Sequence, residues 1–170
     1  MNANHRRALL PLTAVVAALS LSGCGTVLDA VLGENPPPAQ RDEPGGEITA
    51  SAEADVFTLQ VGDCLNYMDQ SDADEISSLP TVPCSEPHDS EIYAEMTITE
   101  DQLPTVETLA DAFCLEQFTT FVGMTYDESA LYYSYLVPSE LSFDQGDDVV
   151  QCLVVQQEGG VTGTLKGAGI

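Results

Sequence analysis

The sequence predicts an α+β domain in which an antiparallel sheet carries one long helix packed across it, with two disulfides as staples. Three observations lead there. Stretches that alternate apolar and polar residues lie on both sides of a single stretch with helical spacing, the order strands, helix, strands that marks this class. That helical stretch has its own start and stop residues. Four cysteines, Cys64, Cys84, Cys114 and Cys152, are spread over it and the strands around it.

From Val56 to Val61 the chain alternates, with Phe57, Leu59 and Val61 on one face and Thr58 and Gln60 on the other, so a half-buried strand is expected before Gly62-Asp63. Ile92 to Ile98 repeats the pattern, with Ile92, Ala94, Met96 and Ile98 inward and Tyr93, Glu95 and Thr97 outward. Thr99 and Gln102 have the spacing of a capping box, which starts a helix there or at Pro104. Val106, Ala110, Phe113, Gln117 and Phe121 mark its inner face, with Leu109, Cys114 and Phe118 beside them, and Gly123 ends it. Leu131 to Val137 reads as a Tyr-rich strand closed by Pro138. Val149 to Gln156, apolar on both faces, reads as a central strand covered on each side, and Val161 to Leu165 as a last edge strand.

The amino terminus carries a different message. Arg6 and Arg7 precede an apolar run from Ala8 to Leu21, which ends in Leu21-Ser22-Gly23-Cys24. A charged start, an apolar middle and small residues before a cut describe an export signal, and the final Cys gives it the form of a lipobox. Residues 1–23 are therefore expected to be removed and Cys24 to become the diacylated, palmitate-bearing first residue. The run is short of the ~20 apolar residues that a spanning helix needs. Ala8-Leu9 after the arginines also departs from the twin-arginine pattern, which leaves general secretion.

Residues 24–54 are dominated by Gly, Pro, Ala, Glu and Asp and are expected to form a tether, roughly 30 Å long as a flexible coil. Residues 55–170 remain for one domain, a normal size for a single core. Beyond residue 23 the chain has 28 acidic residues against Arg41 and Lys166. Such a field repels phosphate backbones and excludes nucleic acid as a partner. The carboxylates are scattered, so solubility accounts for most of them.

With Cys24 lipidated, an even number of cysteines is left in an exported chain, which points to two disulfides. The competing four-cysteine zinc site lacks any closely spaced pair of cysteines. Spacing alone allows three pairings. The physical choice is Cys64 with Cys84, closing a polar loop, and Cys114 with Cys152, fixing the helix to the central strand.

Chemistry-bearing residues are densest from Pro83 to Glu91, around His88, the one histidine beyond the signal. In a functional reading, His88 with Asp89 or Glu91 forms a metal site or an acid/base pair, as in an envelope hydrolase. In the structural reading, His88 caps a turn, its ring bonded to a backbone carbonyl or a carboxylate. The structural reading is the expected one, because a lone His commonly satisfies local hydrogen bonds and a metal site needs further ligands. Serine-hydrolase, zinc-protease, phosphate-loop and calcium-loop motifs are all missing. The acidic runs from Asp69 to Glu75 and from Asp144 to Asp148 could each collect a calcium ion, but are expected in so acidic a chain.

Val61-Gly62-Asp63-Cys64, then Val82-Pro83-Cys84-Ser85-Glu86-Pro87-His88-Asp89-Ser90-Glu91, Cys114 in its helix, Pro138, and Val150-Gln151-Cys152-Leu153 before Thr164-Leu165-Lys166-Gly167 follow one another in a characteristic order. In that order they resemble the septum formation domain of actinobacterial envelope proteins, from about Phe57 to Gly167. The resemblance implies a lipoprotein or membrane-anchored domain outside the cytoplasm, linked to cell division and without assigned catalysis. Phe143 stands where the pattern leads one to expect Trp, and Asp148 where it leads one to expect a basic residue.

The expected protein is a non-catalytic, lipid-anchored binding domain on the extracytoplasmic face of the cell membrane. It needs no cofactor or metal. Its partner would be an envelope or division protein or a cell-wall component.

Overall fold

In the computed structural model, which describes residues 36–68, 70, 76–158 and 160–170, six antiparallel strands form one sheet. They are β1 (Ala52–Asp55), β2 (Cys64–Leu65), β3 (Ser78–Val82), β4 (Ser90–Thr97), β5 (Tyr132–Leu136) and β6 (Val149–Val155). Their spatial order is β1-β3-β2-β4-β6-β5. A long helix, α1 (Val106–Val122), packs on β4, β5 and β6, and a short one, α2 (Glu140–Asp144), precedes β6. The α+β architecture with one long helix is as expected.

The pair β4 and β6 forms the spine, in register from Ser90 opposite Val155 to Thr97 opposite Val149. On β6, Val150, Cys152 and Val154 join the helix-side core while Leu153 and Val155 enter a second core on the opposite face. This is the doubly covered strand that its unbroken apolar run predicts. Beside it, β4 departs from simple alternation. A register shift between Ile92 and Ala94 leaves Tyr93 as an extra residue, the signature of a bulge. Ile92 stays in the second core, but Tyr93, expected outward, is buried in the helix-side core with Ala94 and Met96 packed against it. Its hydroxyl donates to the Cys114 carbonyl at 2.6 Å, and burial pushes its pKa well above the ordinary tyrosine value.

Helix α1 buries Val106, Ala110, Cys114, Phe118 and Val122, a strict four-residue row. Phe113 and Phe121, expected at the centre of the inner face, flank this row half-buried. The Thr99 box forms only in part: Gln102 Oε1 accepts from Thr99 N at 2.9 Å, but the Thr99 hydroxyl turns to the side chains of Asp101 and Gln102. A turn and a 3₁₀ segment with Pro104 follow, and the α-helix starts only at Val106. Gly123 closes it at φ 81°, a left-handed value that glycine reaches without strain.

Both disulfides pair as the physical choice had them, Cys64 with Cys84 and Cys114 with Cys152, at Cα separations of 5.2 and 5.5 Å. The zinc alternative for these cysteines falls with them.

Three further expectations are corrected. The strand at Val56–Val61 is displaced: β1 ends at Asp55, and Val56–Thr58 forms a 3₁₀ turn. Asp55 accepts from Phe57 N at 3.0 Å and the Thr58 hydroxyl donates to Asp55 O at 2.8 Å, local bonds that compete with a strand ladder. Phe57 and Val61 are left half-exposed, at 53% and 51%. The strand at Val161–Leu165 reduces to a single bridge between Val161 and His88.

The tether, lastly, does not extend to residue 54. Ala39 and Ile48 are buried in the second core, Arg41 bridges to Ile48, and Ala52–Asp55 pairs with β3. Residues 36–54 are thus part of the folded body, held by an ion pair between Arg41 and the buried Asp63. The signal at 1–23, Cys24 and the tether from 24 to 35 lie outside the described residues, as does most of the acidic run from Asp69 to Glu75.

Candidate functional site

His88, Asp89 and Glu91 lie in and just before the start of β4, yet each is tied to a different segment. His88 is fully buried. Its Nδ1 lies 2.8 Å from Glu86 O, and since a carbonyl only accepts, that nitrogen carries the proton. Its backbone exchanges two bonds with Val161, at 2.9 and 2.7 Å. Gly160 lies so close that a Cβ there would meet Pro87 Cβ at 2.9 Å.

Asp89 accepts from Tyr67 N at 2.8 Å, Met68 N at 3.3 Å and the Ser90 hydroxyl at 2.5 Å, fixing the chain as it leaves β2. Glu91, also buried, accepts from the Thr164 hydroxyl and from Leu165 N at 2.6 Å, anchoring the carboxy-terminal segment. No three acidic, His or Cys side chains stand together as a metal site among the described residues. The structure therefore gives these three residues the work of joining turns and strands.

One depression reaches this segment through Glu91, and another includes Glu95 further along β4. A shallow groove of about 600 Å³ is lined by Arg41, Asp63, Cys84, Glu91 and Lys166 among others. It contains both cations of the chain beyond residue 23. Arg41 is a strut there: it donates to both Asp63 oxygens and, at 2.8 Å, to Gly46 O. This pair is the only ion pair among the described residues.

The second depression is a cleft of about 230 Å³ between the Val56–Leu59 turn, the end of β5 and the Gln145–Val149 turn. Glu95, Asp147 and Asp148 supply carboxylates, and Phe57, Leu136 and Val137 supply an apolar wall. Gln151 lies at the cleft, 6% exposed, with Nε2 donating to Leu59 O at 3.0 Å and to Glu95 Oε1 at 3.1 Å. Burial raises the Asp147 pKa above the ordinary carboxylate value, and the neighbouring charges of Asp148 and Asp55 add to it. Bonds from the Ser142 hydroxyl and Val149 N act the other way.

Of the two positions that depart from the family pattern, Asp148 lines this cleft, while Phe143 lines a separate hollow with Pro104 and Pro138. The fold does not bring them into one depression. Sequence reasoning missed Glu95, Asp147 and Gln151 as neighbours. The one visible clue was a glutamine inside the otherwise apolar β6.

The family model for septum formation matches residues 61–168. The chain belongs to the septum formation family. The match takes in both disulfides, the His88 to Glu91 segment, α1 and the β4, β5 and β6 walls of the cleft. It leaves outside it Arg41 and the Val56–Leu59 turn, which complete the two depressions in this member. No curated protein and no solved structure gives a significant match.

Proposed function

We propose that this septum formation protein is a non-catalytic binding domain, lipid-anchored through Cys24 on the extracytoplasmic face of the cell membrane. There it would serve the cell envelope or the septum through a protein or cell-wall partner. Family membership supports the link to septum formation. The lipobox and the pair of disulfides support export.

The observation that carries the non-catalytic reading is the dispersal of the densest chemical cluster. His88 bonds Glu86 O, Asp89 bonds the chain beyond β2, and Glu91 bonds Thr164 and Leu165, so each is engaged by a different segment and not by one another.

His88→Ala tests this directly. It is expected to lower stability by about 1 to 3 kcal/mol, the usual result of leaving a buried partner unsatisfied, and to leave partner capture intact wherever the domain stays folded. Thermal denaturation beside crosslinking to the partner in cells reads both, and wall-hydrolysis and metal-content assays address the hydrolase reading. A variant of wild-type stability that loses hydrolysis or bound metal would favour the hydrolase reading with Asp89 or Glu91.

A further inference from the structure

We infer that the open edge of β5 takes up an extended segment of a basic partner protein as a further strand of the sheet, its Lys or Arg side chains set beside Glu107 and Asp111 of α1. The inference deepens the binding reading, on which it rests, by naming the surface and the chemistry of the partner.

β5 ends the sheet order, so one of its edges has no strand beside it among the described residues. The register shows which backbone groups lie on that edge. Gln156 N donates to Asp89 O and Ile98 N donates to Asp148 O, both at 2.8 Å, so at both ends of β6 the even-numbered residues bond toward β4. In an antiparallel ladder the direction alternates, so Val155, Leu153 and Gln151 bond toward β5. Their partners there are Tyr132, Ser134 and Leu136. Tyr133 and Tyr135, lying between these, turn their N–H and C=O groups to the open edge. The outward amide before them, Leu131 N, is already taken by Ser129 Oγ at 3.0 Å.

The two edges of the sheet are built differently. β1, at the opposite edge, carries Glu53 and Asp55, and Asp55 N donates to Pro37 O at 2.8 Å, which lays an earlier segment along it. β5 is Tyr132-Tyr133-Ser134-Tyr135-Leu136, without a charge, a proline or a register shift, the usual means by which an edge strand is kept from pairing. In a chain with 28 acidic residues, such an uncharged run is a ready template for strand addition.

The partner's charge follows from what overhangs the edge. Tyr133 and Tyr135 pack on the helix-side core, and the Tyr133 hydroxyl donates to Asp111 Oδ1 at 2.7 Å. Glu107 lies one turn before Asp111 on α1, and both are exposed. Burial first, then the charges of Asp111 and Glu107, raise the Tyr135 pKa, in keeping with carboxylates above this strand. A strand added about 4.8 Å beyond β5 has every second side chain on that same face, within reach of the two carboxylates. Lys or Arg gains there, and Asp or Glu loses. A second copy of the chain fits poorly, because antiparallel pairing of two β5 edges puts both α1 helices on one face with their Glu107 and Asp111 rows opposed.

The test uses the full chain in detergent and a short peptide alternating Lys and Val. Calorimetric titration is expected to show saturable binding. Hydrogen exchange followed by NMR is expected to be faster at the Tyr133 and Tyr135 amides than at Ser134 in the free chain, and to slow at both when the peptide is added. A peptide with its Lys residues grouped at one end, one with Glu in place of Lys, and the alternating peptide N-methylated at its backbone amides should each bind about tenfold more weakly or worse. Tyr135→Pro removes an outward N–H and spares the bonds to β6, so it should weaken binding to the same degree, whereas Tyr135→Val keeps the N–H and the binding. Glu107→Gln with Asp111→Asn should weaken binding about tenfold. Melting temperatures confirm that each variant is folded, and the N-methylated peptide probes the backbone pairing without altering the protein.

Equal binding of the grouped or N-methylated peptide, slow exchange at Tyr133 and Tyr135 before any peptide is added, or no binding at all would overturn the inference. So would dimerisation of the full chain that Tyr135→Pro abolishes, since a second copy would then hold the edge. Such a failure would leave the His88 test of the wider reading standing, because crosslinking to the partner in cells does not depend on which surface binds.

Discussion

Replacing Cys114 and Cys152 together by alanine is expected to lower the stability of the domain by about 3 to 4 kcal/mol, the loop-closure value for a bridge spanning 38 residues. Both residues are fully buried in the helix-side core, where the bridge ties the middle of α1 to the centre of β6. Denaturant unfolding under non-reducing conditions measures the loss. The Cys64–Cys84 bridge closes 20 residues, and Cys84 is half-exposed at the edge of the Arg41 groove. Its removal should cost less, because the shorter loop gains less entropy on opening and fewer core contacts are lost. Equal losses from the two pairs would show that the helix-to-strand tie has no special weight.

The second large effect is expected at Phe118. Its ring is fully buried on α1 and meets Tyr93 and Tyr126 edge-on, at centroid distances of 6.3 and 5.3 Å, with Tyr133 at 6.4 Å. These aromatics connect α1 to β4, to the turn after the helix and to β5. Phe118→Ala should therefore cost about 3 to 5 kcal/mol, the transfer term plus the cavity left among rings that cannot all close in. Leu115→Ala, one turn away and 41% exposed, should change stability by less than about 0.5 kcal/mol. A Phe118 loss close to the Leu115 value would contradict the assignment of the core to this face. Because Phe118 and Cys114 share a helix face and a core, the two large losses should not add simply.

The parts legible in the sequence are those in which one physical signal dominates. The apolar run of β6, the helical spacing of apolar residues in α1 and the even set of cysteines each allow few alternatives, and the fold class, both disulfides and the central strand follow from them, although the buried row of α1 lies beside the face that the spacing marked. The sequence was misleading where a local polar bond overrides alternation. Asp55 and Thr58 turn the chain after β1, and one inserted residue at Tyr93 changes which side chains of β4 face the helix.

Residues 36–54 misled for another reason. Their composition suits a tether, but Arg41 finds a buried partner in Asp63 at a sequence distance that no local pattern reports. The same holds for the cleft. Phe57, Glu95, Leu136, Asp147 and Gln151 come from four separate parts of the chain, and only the strand order β4-β6-β5 makes them neighbours. By contrast, the His88 segment drew attention because its residues are adjacent in sequence, and adjacency along an extended chain sends side chains to different places.

The central claim is that a binding domain acts at the septum while held to the membrane through Cys24. Time-lapse imaging of the tagged full chain in dividing cells, beside its Cys24→Ser variant, tests it most directly. The account predicts enrichment of the unaltered chain at forming septa and loss of membrane retention in the variant. Identical distributions of the two, or a uniform distribution of the unaltered chain throughout division, would contradict it.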